Sequence, residues 1–348
     1  MRQKRNIPMR MSSSAAHVRV SSAVLGIALA AGTAFGAAAC ASAEPAASTG
    51  APAPAGLIEL AHVRVLAEFD ESAGQNAESI ALEPDGGAVI GMISARQVVR
   101  VRGDGGTEVL VTMPVPADGG GTTPVVGFPQ VTGVARDQGG AVFFLYSAGR
   151  GGLTGIWRLA PGSTEPELIV PMPADTMPNA LLIDQPGDRF LVTDSTGGRV
   201  WEAPLSGGEP SVWSADPTIA PSGFFGANGL KLHAGAVWVS NYDLGTIVRI
   251  PVEQSGAAGP AAVHATGLTG IDDFDFTGRG EEILAALNDT SELVGVAADG
   301  SHRVLLDGDD GLQGTTAVVV RGDSAFITNG ALREGDRPAL RVARLVGG

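Results

Sequence analysis

The sequence predicts an all-β protein, a six-bladed β-propeller with four-stranded blades and a ring closed by an N-terminal strand. The first observation is a pattern of short apolar strands, separated by turns rich in Gly and Asp, that occurs six times along the chain. The second is the spacing of these repeats, 44 to 54 residues, which is close to the roughly 40–50 residues of propeller blades. The third is that no helical period competes with the strand pattern after the N-terminal segment.

The repeat at residues 228–267 illustrates the unit. It contains a short strand at 230–232, a turn "HAG", a strand "AVWVSN", a turn "DLG", a strand "TIVRIPV" and a fourth strand "AAVHATG". Aligning all six repeats on their first apolar pair places one polar residue at the start of each innermost strand. Because these strands line the central channel of a propeller, the six residues are expected to form a ring at one mouth: Glu78, Thr132, Asn179, Asn228, Asp272 and Thr316.

The sixth repeat ends after three strands. The stretch "LIELAHVRVLAEF" at 57–69 precedes the first repeat, and we expect it to supply the missing fourth strand. That pairing would close the ring and hide the edges that an open sheet exposes. The predicted propeller therefore covers residues 57–348.

The N-terminus has the features of a secretory signal, which we assign to residues 1–40. A basic segment is followed by the apolar, small-residue stretch "SSAVLGIALAAGTAFGAAA". Two cleavage sites are open: "ASA" at 41–43 suits signal peptidase, whereas "AAAC" resembles a bacterial lipobox in which Cys40 would carry lipid. Residues 41–56 are rich in Ala, Pro and Ser and are predicted to be a flexible tether. The protein is thus expected to be exported, either secreted or lipid-anchored at the outer face of the cell membrane.

The charge and the cysteine count exclude several classes of function. The net charge is −14, and the first 43 residues carry five basic and no acidic side chains, so the remainder is more acidic still. Such a surface repels phosphate backbones, which excludes nucleic acid as a partner, and it favours cations. Cys40 is the only cysteine, so the propeller has neither a disulfide nor thiolate chemistry.

The predicted ring is rich in oxygen donors. The carboxylates of Glu78 and Asp272 and the amides of Asn179 and Asn228 are the ligand types of a hard divalent cation, most of all Ca²⁺. None of the five His residues falls at a ring position, which disfavours zinc and copper. The alternative is that these polar residues only solvate a wet channel mouth, or begin strands through ordinary turn chemistry.

Four short motifs contain the proposed ligands: "NAESIAL" around Glu78, "MPNALLID" around Asn179, "GANGLKL" around Asn228 and "GIDDFDF" around Asp272. Together they resemble the senescence-marker-protein/gluconolactonase (regucalcin-like) superfamily, which is related to the paraoxonases, over residues 57–346. The resemblance implies a six-bladed propeller that holds a divalent metal, usually Ca²⁺, through Glu78, Asn228 and Asp272, with Asn179 matching a further Asn of the paraoxonases. It also implies that Asp272 or Asp273 activates water as general base, and it leaves Asp273 open as a metal ligand.

The chain departs from the family at two positions. Ser79-Ile80 follow Glu78 where the gluconolactonases have Gly-Pro, and Met177 stands where they carry a sugar-binding Arg. The resemblance therefore does not extend to a sugar-lactone substrate.

Two functions stay open from the sequence. One is an exported metal-dependent hydrolase of small lactones or esters, in which the cation polarises the carbonyl and an Asp activates water. The other is a non-catalytic exported propeller that binds a ligand, a glycan or a protein, with any Ca²⁺ structural. The connection "SADPTIAPSGFFGA" at 214–227 leads into a ring position; a substrate pocket and a plain connecting loop are both compatible with it.

Overall fold

Short strands joined by tight turns build six four-stranded antiparallel sheets. The computed structural model describes residues 56–117, 119 and 123–347. The signal peptide, the lipobox at Cys40 and all but the last residue of the tether lie outside these residues and stay predictions. No helix in the described part of the chain is both long and apolar enough to span a membrane.

Each of the first five blades is a run of four consecutive strands. Blade 1 contains β2 (Ala77–Leu82), β3 (Ala88–Met92), β4 (Gln97–Val101) and β5 (Thr107–Thr112). Blade 2 contains β6 (Gln130–Arg136), β7 (Val142–Ser147), β8 (Gly155–Leu159) and β9 (Glu167–Pro171). Blade 3 contains β10 (Pro178–Asp184), β11 (Arg189–Asp194), β12 (Arg199–Pro204) and β13 (Ser211–Ser214).

The second half of the ring continues the pattern. Blade 4 contains β14 (Ala227–His233), β15 (Ala236–Asn241), β16 (Thr246–Pro251) and β17 (Ala262–Ala265). Blade 5 contains β18 (Ile271–Phe276), β19 (Ile283–Leu287), β20 (Glu292–Val296) and β21 (His302–Leu306). Blade 6 contains β22 (Thr315–Arg321), β23 (Ser324–Asn329), β24 (Ala339–Val346) and β1 (Glu59–Glu68). Within the described residues, three single-turn 3₁₀ helices lie between strands, at Glu71–Ala73, Pro217–Ile219 and Gly308–Asp310.

The ring is closed by β1, as the sequence predicted. This strand pairs antiparallel with β24, from Glu59 opposite Val346 to Glu68 opposite Ala339. The innermost strands contact one another in the circular order β2, β6, β10, β14, β18, β22 and back to β2. The prediction of a six-bladed β-propeller is confirmed.

The core lies between the blades. Each of six apolar clusters in the described residues joins one blade to the next. In the cluster between blades 4 and 5, Trp238 and Phe274 are completely buried, and the Trp238 ring meets Phe276 edge-on at 5.2 Å. Replacing a buried aromatic residue by Ala costs about 3–5 kcal/mol. Packing of this kind, rather than strand pairing, stabilises the ring against separation of its blades.

Candidate metal centre

Each innermost strand is interrupted by a β-bulge at its predicted ring position. In β14, Ala227 lies opposite Asn241 and Leu230 opposite Val239, so that Asn228 and Gly229 together face a single partner-strand residue. A bulge bends the strand and re-aims its side chains. The register shifts that mark the bulges enclose or adjoin all six predicted positions: Glu78, Thr132, Asn179, Asn228, Asp272 and Thr316.

Gly229 is required by the approach of blade 5. A Cβ atom on Gly229 would lie 2.6 Å from Oδ1 of Asp273 and 2.8 Å from the carbonyl oxygen of Asp272. Real Cβ atoms do not approach other atoms so closely, because van der Waals repulsion rises steeply there. The Asn-Gly pair therefore combines a donor side chain with the one residue that lets the next blade reach the channel.

Three hydroxyl groups opposite the bulges fix the backbone of the next blade. Ser240 Oγ accepts a hydrogen bond from the Gly229 amide (2.6 Å) and donates one to the carbonyl oxygen of Asp272 (2.6 Å). Thr193 Oγ1 likewise accepts from Ala180 N (2.9 Å) and donates to the carbonyl of Asn228 (2.5 Å). In the sixth blade, Thr328 Oγ1 accepts from Ala317 N (2.9 Å) and donates to the carbonyl of Glu78 (3.3 Å). Each hydroxyl thus holds the backbone of a proposed metal ligand in the following blade.

These three hydroxyls were missed by the sequence reasoning, although a signal is present. Each stands directly before an Asp or Asn at the end of the second strand of its blade, as Thr193-Asp194, Ser240-Asn241 and Thr328-Asn329. The Asp and Asn residues serve turns and loops: Asn241 Oδ1, for example, accepts a hydrogen bond from the amide of Leu244 (3.1 Å). The hydroxyls beside them are the residues that support the channel.

A small cavity is lined by three of the four proposed ligands, Glu78, Asn179 and Asp272, and by Gly229, the residue after the fourth. Its volume is about 10 Å³, which is space for one water molecule or one ion. Its walls are formed at the bulges of five blades, all except blade 2: Glu78, Ser79, Asn179, Ala180, Gly229, Asp272, Asp273, Thr316 and Ala317. Each of the four proposed ligands is a residue at least nine-tenths buried: Glu78, Asn179, Asn228 and Asp272.

Burial and like charge make this an unfavourable place for two carboxylates. Burial, followed by the charge of Asp273, raises the pKa of Glu78 to about 8. Burial, followed by the charges of Glu78 and Asp273, raises the pKa of Asp272 well above its usual value, and a hydrogen bond with the side chain of Asn228 lowers it only in part. A bound cation would reverse both effects, since a positive charge stabilises the ionised forms.

The amide of Asn228 provides an independent observation. Its Oδ1 atom is buried and has no hydrogen-bond partner in the described part of the protein. A buried acceptor without a partner costs about 1–3 kcal/mol, and a cation bound beside it would remove that cost.

The residues present therefore fit an oxygen-coordinated divalent cation. Two carboxylates, two amides and a cavity of single-ion size match the donor chemistry of Ca²⁺. No group of three or more His, Cys, Asp or Glu side chains suited to a metal occurs in residues 56–117, 119 and 123–347. The candidate centre thus depends on its amide oxygens as well as its carboxylates.

The two threonines of the predicted ring have a different task. Thr132 Oγ1 donates to the carbonyl oxygen of Pro178 (2.8 Å), and Thr316 Oγ1 donates to that of Ala77 (2.8 Å). Both acceptors directly precede a proposed ligand, Asn179 and Glu78 respectively. These ring positions therefore join neighbouring blades through their hydroxyl hydrogens.

The two adjacent aspartates have different surroundings. Asp272 is buried against Glu78, whereas both oxygens of Asp273 accept hydrogen bonds from Lys231 Nζ, at 2.6 and 2.8 Å. Asp273 also lines the cavity. The sequence treated the two as interchangeable candidates for the general base, and the structure separates them by partner.

A larger cavity lies elsewhere in the described part of the chain. It has a volume of about 950 Å³ and is formed by the turns of blades 3 and 4 at the end of the ring opposite the bulges. The one cation in its wall is already paired, because Arg189 donates to Asp184 (2.9 Å), to Glu202 (2.9 Å) and to the carbonyl of Gly256 (2.8 Å). Its size does not make it the reactive site; the buried carboxylate pair lies in the small cavity.

No family model and no curated protein matches this sequence. Solved structures do match. A gluconolactonase from Xanthomonas campestris superimposes with a TM-score of 0.60 at 17% identity, covering 85% of this chain and 97% of its own. Regucalcin from Agrobacterium tumefaciens, a calcium-binding protein, gives a TM-score of 0.62 at 15% identity, covering 84% and 96%.

The same fold also carries other chemistry. Virginiamycin B lyase from Staphylococcus aureus matches with a TM-score of 0.55 at 13% identity, covering 78% of this chain and 82% of its own. Likeness at these identities shows the fold, and a propeller fold by itself does not specify a reaction. The resemblance to gluconolactonases and regucalcin is confirmed at that level, and the function has to be inferred from the residues of the site.

Proposed function

We propose that this protein is a metal-dependent hydrolase of small esters or lactones, with a divalent cation, most favourably Ca²⁺, in the channel. The observation that carries the proposal is the unpartnered, buried Oδ1 of Asn228 beside the buried pair of Glu78 and Asp272. Such a group is stable in a protein when a cation neutralises the pair and accepts the amide oxygen as a ligand.

Four side chains would hold the cation: Glu78, Asn179, Asn228 and Asp272. The hydroxyls of Ser240, Thr193 and Thr328 fix the backbone of three of them, so the donors are positioned before any ligand arrives. When bound, the cation would supply Lewis-acid polarisation of the ester or lactone carbonyl and stabilisation of the oxyanion.

Asp273 is the carboxylate that remains for proton transfer. Lys231 fixes both of its oxygens at the cavity wall, next to the carboxylate pair. In the proposed reaction Asp273 accepts the proton of the attacking water and returns it to the leaving oxygen. Asp272, which shares the buried position of Glu78, is assigned to the metal.

The structural neighbours agree with this proposal, but its basis is the residues of the site. One structural neighbour is a gluconolactonase and another is described as calcium-binding. Both properties belong to those proteins, and they agree with the donor set and the acidic cavity of this one.

The test combines metal content, stability and turnover. The purified propeller is analysed for bound metal, and its thermal midpoint is measured with EDTA and with Ca²⁺. Hydrolysis of a panel of lactones and aryl esters is followed by pH-stat. We expect Glu78→Gln and Asp272→Asn to abolish the Ca²⁺-dependent rise in midpoint together with turnover. Wild-type rates in both variants would contradict the proposal.

Asp273→Asn separates the two aspartates. If Asp273 is the base, this variant keeps the Ca²⁺-dependent rise in midpoint and loses about 10²–10⁴-fold in kcat, the usual contribution of general base catalysis. Loss of the Ca²⁺ effect in Asp273→Asn would instead assign it to the metal.

A second function is favoured by one observation. The cavity of about 10 Å³ has room for an ion and leaves little for a reacting carbonyl, as expected of a structural cation in a binding platform. In that case Ca²⁺ would raise the thermal midpoint while every ester and lactone stays intact. The same measurements therefore decide between the two functions.

A further inference from the structure

An aromatic cluster lies at the mouth of the channel that leads to the candidate metal centre. Phe224 and Phe225 belong to the connection between β13 and β14, and Tyr242 follows the last residue of β15. The ring centroids are 4.0 Å apart for Phe224 and Phe225, 6.0 Å for Phe224 and Tyr242, and 6.2 Å for Phe225 and Tyr242. Phe224 is 44% exposed although it is a large apolar residue.

The chain path places this cluster close to the proposed ligands. Phe225 precedes Asn228 by three residues, so their Cα atoms are at most about 11 Å apart. Tyr242 follows Asn241, which pairs with Ala227, the residue before Asn228. The cluster and the bulge of blade 4 therefore lie at the same end of the channel.

The residues immediately before and after Tyr242, Asn241 and Asp243, fix the connection that contains Phe224 and Phe225. Asn241 Nδ2 donates to the carbonyl oxygens of Thr218 (3.0 Å) and Ala220 (2.9 Å). The carboxylate of Asp243 accepts four backbone hydrogen bonds, between 2.7 and 3.1 Å, from successive amides at 222–225. Burial by itself would raise the pKa of Asp243, but the four bonds together outweigh it and lower that pKa, so that Asp243 stays ionised and the loop keeps its shape at neutral pH. The aromatic surface is thus held in place before a ligand binds.

Tyr242 connects the cluster to blade 5. Its hydroxyl donates to Oδ1 of Asp289 at 2.7 Å. Burial, the hydrogen bond to Asp289, and the nearby charges of Asp272, Asp289 and Glu78 raise the pKa of Tyr242. The phenol therefore stays protonated and acts as a hydrogen-bond donor and an apolar wall, within electrostatic range of both proposed carboxylate ligands.

The surroundings favour an apolar ligand over a sugar. Leu244, on the turn after Tyr242, is 46% exposed. Met177, which stands at the sugar-binding Arg position of the gluconolactonases, is completely buried, and its sulfur accepts hydrogen bonds from Gln130 and Ser147. Position 177 thus belongs to the core between blades and offers no group to a polyol.

We propose that Phe224, Phe225 and Tyr242 form a substrate subsite that takes an aryl or other apolar substituent of the ester or lactone. The identity of the reacting group, an ester or a lactone, rests on the proposed function. The apolar substituent is inferred from the aromatic cluster alone. Asp243 and Asn241 are positioning residues, because they act by fixing the loop.

The experiment uses two lactones with the same reacting group, γ-butyrolactone and γ-phenyl-γ-butyrolactone, and measures kcat/KM for each in the presence of Ca²⁺. We expect wild type to prefer the phenyl lactone. Phe224→Ala should reduce that preference by at least about tenfold, the scale at which apolar pockets discriminate, and Phe224→Leu should restore part of it. The control is Leu232→Ala, which removes another exposed apolar side chain (37% exposed) from the opposite end of β14.

A binding measurement keeps the subsite testable without turnover. Calorimetric titration of wild type with 4-phenylbutyrate and with butyrate, in Ca²⁺, should show tighter binding of the phenyl compound, and Phe224→Ala should lose the difference. Phenyl-dependent binding without hydrolysis of any lactone would sustain the subsite and overturn the hydrolase. Hydrolysis with equal kcat/KM for both lactones, unchanged by Phe224→Ala, would overturn the subsite and sustain the hydrolase. An unchanged Ca²⁺-dependent midpoint in Phe224→Ala verifies that the variant is folded.

Discussion

Lys231 Nζ contacts both oxygens of Asp273, at 2.6 and 2.8 Å, and so joins β14 to the residue that follows the proposed ligand Asp272. The side chains of Lys231 and Asp273 are 21% and 16% exposed, so this ion pair is only partly screened by solvent. It links β14 to the bulge of blade 5 through the one lysine in the predicted propeller.

Replacing Lys231 by Met should leave Asp273 without its partner at the cavity wall. Losing hydrogen bonds to a charged group costs about 1.5–3 kcal/mol, and the remaining exposure of the pair favours the lower end. The free energy of unfolding from urea titration, with Ca²⁺ present, measures this. A matched control is Arg344→Met, which breaks the exposed pair with Asp323 (3.2 Å, side chains 60% and 63% exposed) and should cost at most about 1 kcal/mol. Equal losses in the two variants would contradict the special role of the Lys231 pair.

Replacing Ser240 by Ala should weaken the candidate metal centre, because the Ser240 hydroxyl supports the backbone of the proposed ligand Asp272. The Gly229 amide and the Asp272 carbonyl would both lose their partner, at a cost of about 1–3 kcal/mol in stability. Loss of such outer support typically lowers metal affinity about 10–100-fold, which a competition titration with a Ca²⁺ indicator would detect.

The chain itself provides the control for Ser240. Thr occupies the equivalent position in blades 3 and 6, as Thr193 and Thr328, with the same pair of hydrogen bonds. Ser240→Thr should therefore keep most of the Ca²⁺ affinity, and a loss as large as that of Ser240→Ala would show that the hydroxyl is not the cause.

A methyl group at Gly229 should separate blades 4 and 5. Gly229→Ala would place Cβ 2.6 Å from Asp273 Oδ1, and overpacking of this kind costs about 1–3 kcal/mol. Gly308→Ala is the control, because no atom lies within 4 Å of a Cβ built there. Thermal midpoints of the two variants measure the difference; a midpoint for Gly229→Ala equal to that of Gly308→Ala would mean that the channel adapts without strain.

Asp243 gives a prediction for pH. Its pKa is lowered in the folded protein because four amides donate to its carboxylate, so its stabilisation is fully present above the model-peptide pKa of about 3.9. That stabilisation is lost as the pH falls through the lowered value, since protonation removes the acceptor. Hydrogen exchange at the 222–225 amides, corrected for intrinsic rates, should show constant protection from neutral pH to about pH 4 and weaker protection below it.

Asp243→Asn should lose this protection at every pH, because a neutral amide oxygen is the weaker acceptor. Undiminished protection in the variant would mean that the loop is held by its aromatic contacts instead.

Much of the fold could be predicted from the sequence, because every blade of a propeller repeats the same strand pattern. Six copies of one strand pattern identified the blades, and a missing strand at the end of the sixth identified the closing role of residues 57–69. Strand ends were predicted only in part: β15, expected as "AVWVSN", extends from Ala236 to Asn241, whereas β14, expected at 230–232, extends from Ala227 to His233. Alignment of the six copies likewise located the ring positions, which the bulges mark in the structure.

Less of the candidate site could be predicted, because the roles of its residues depend on contacts between blades. Sequence alone treated Asp272 and Asp273 as equivalent, and only the packing of Lys231 across from blade 4 distinguishes them. Thr132 and Thr316 were expected only as members of the ring, and the structure shows that they direct their hydroxyl hydrogens to backbone carbonyls of the next blade. The connection at 214–227 could not be assigned, because the four amides that converge on Asp243 come from residues whose conformation the sequence does not specify.

The pairing of β1 with β24 sets the order of events during synthesis. Glu59 cannot pair until Val346, the residue opposite it, has been synthesised. The outermost strand of the sixth blade is therefore the first strand of the propeller to be synthesised and the last to pair. Blades 1 to 5 each need only consecutive strands, whereas the ring closes only when the last strand is available. If the chain crosses a membrane unfolded, as the predicted signal peptide would require, the ring around the candidate metal centre closes only after the whole propeller has crossed.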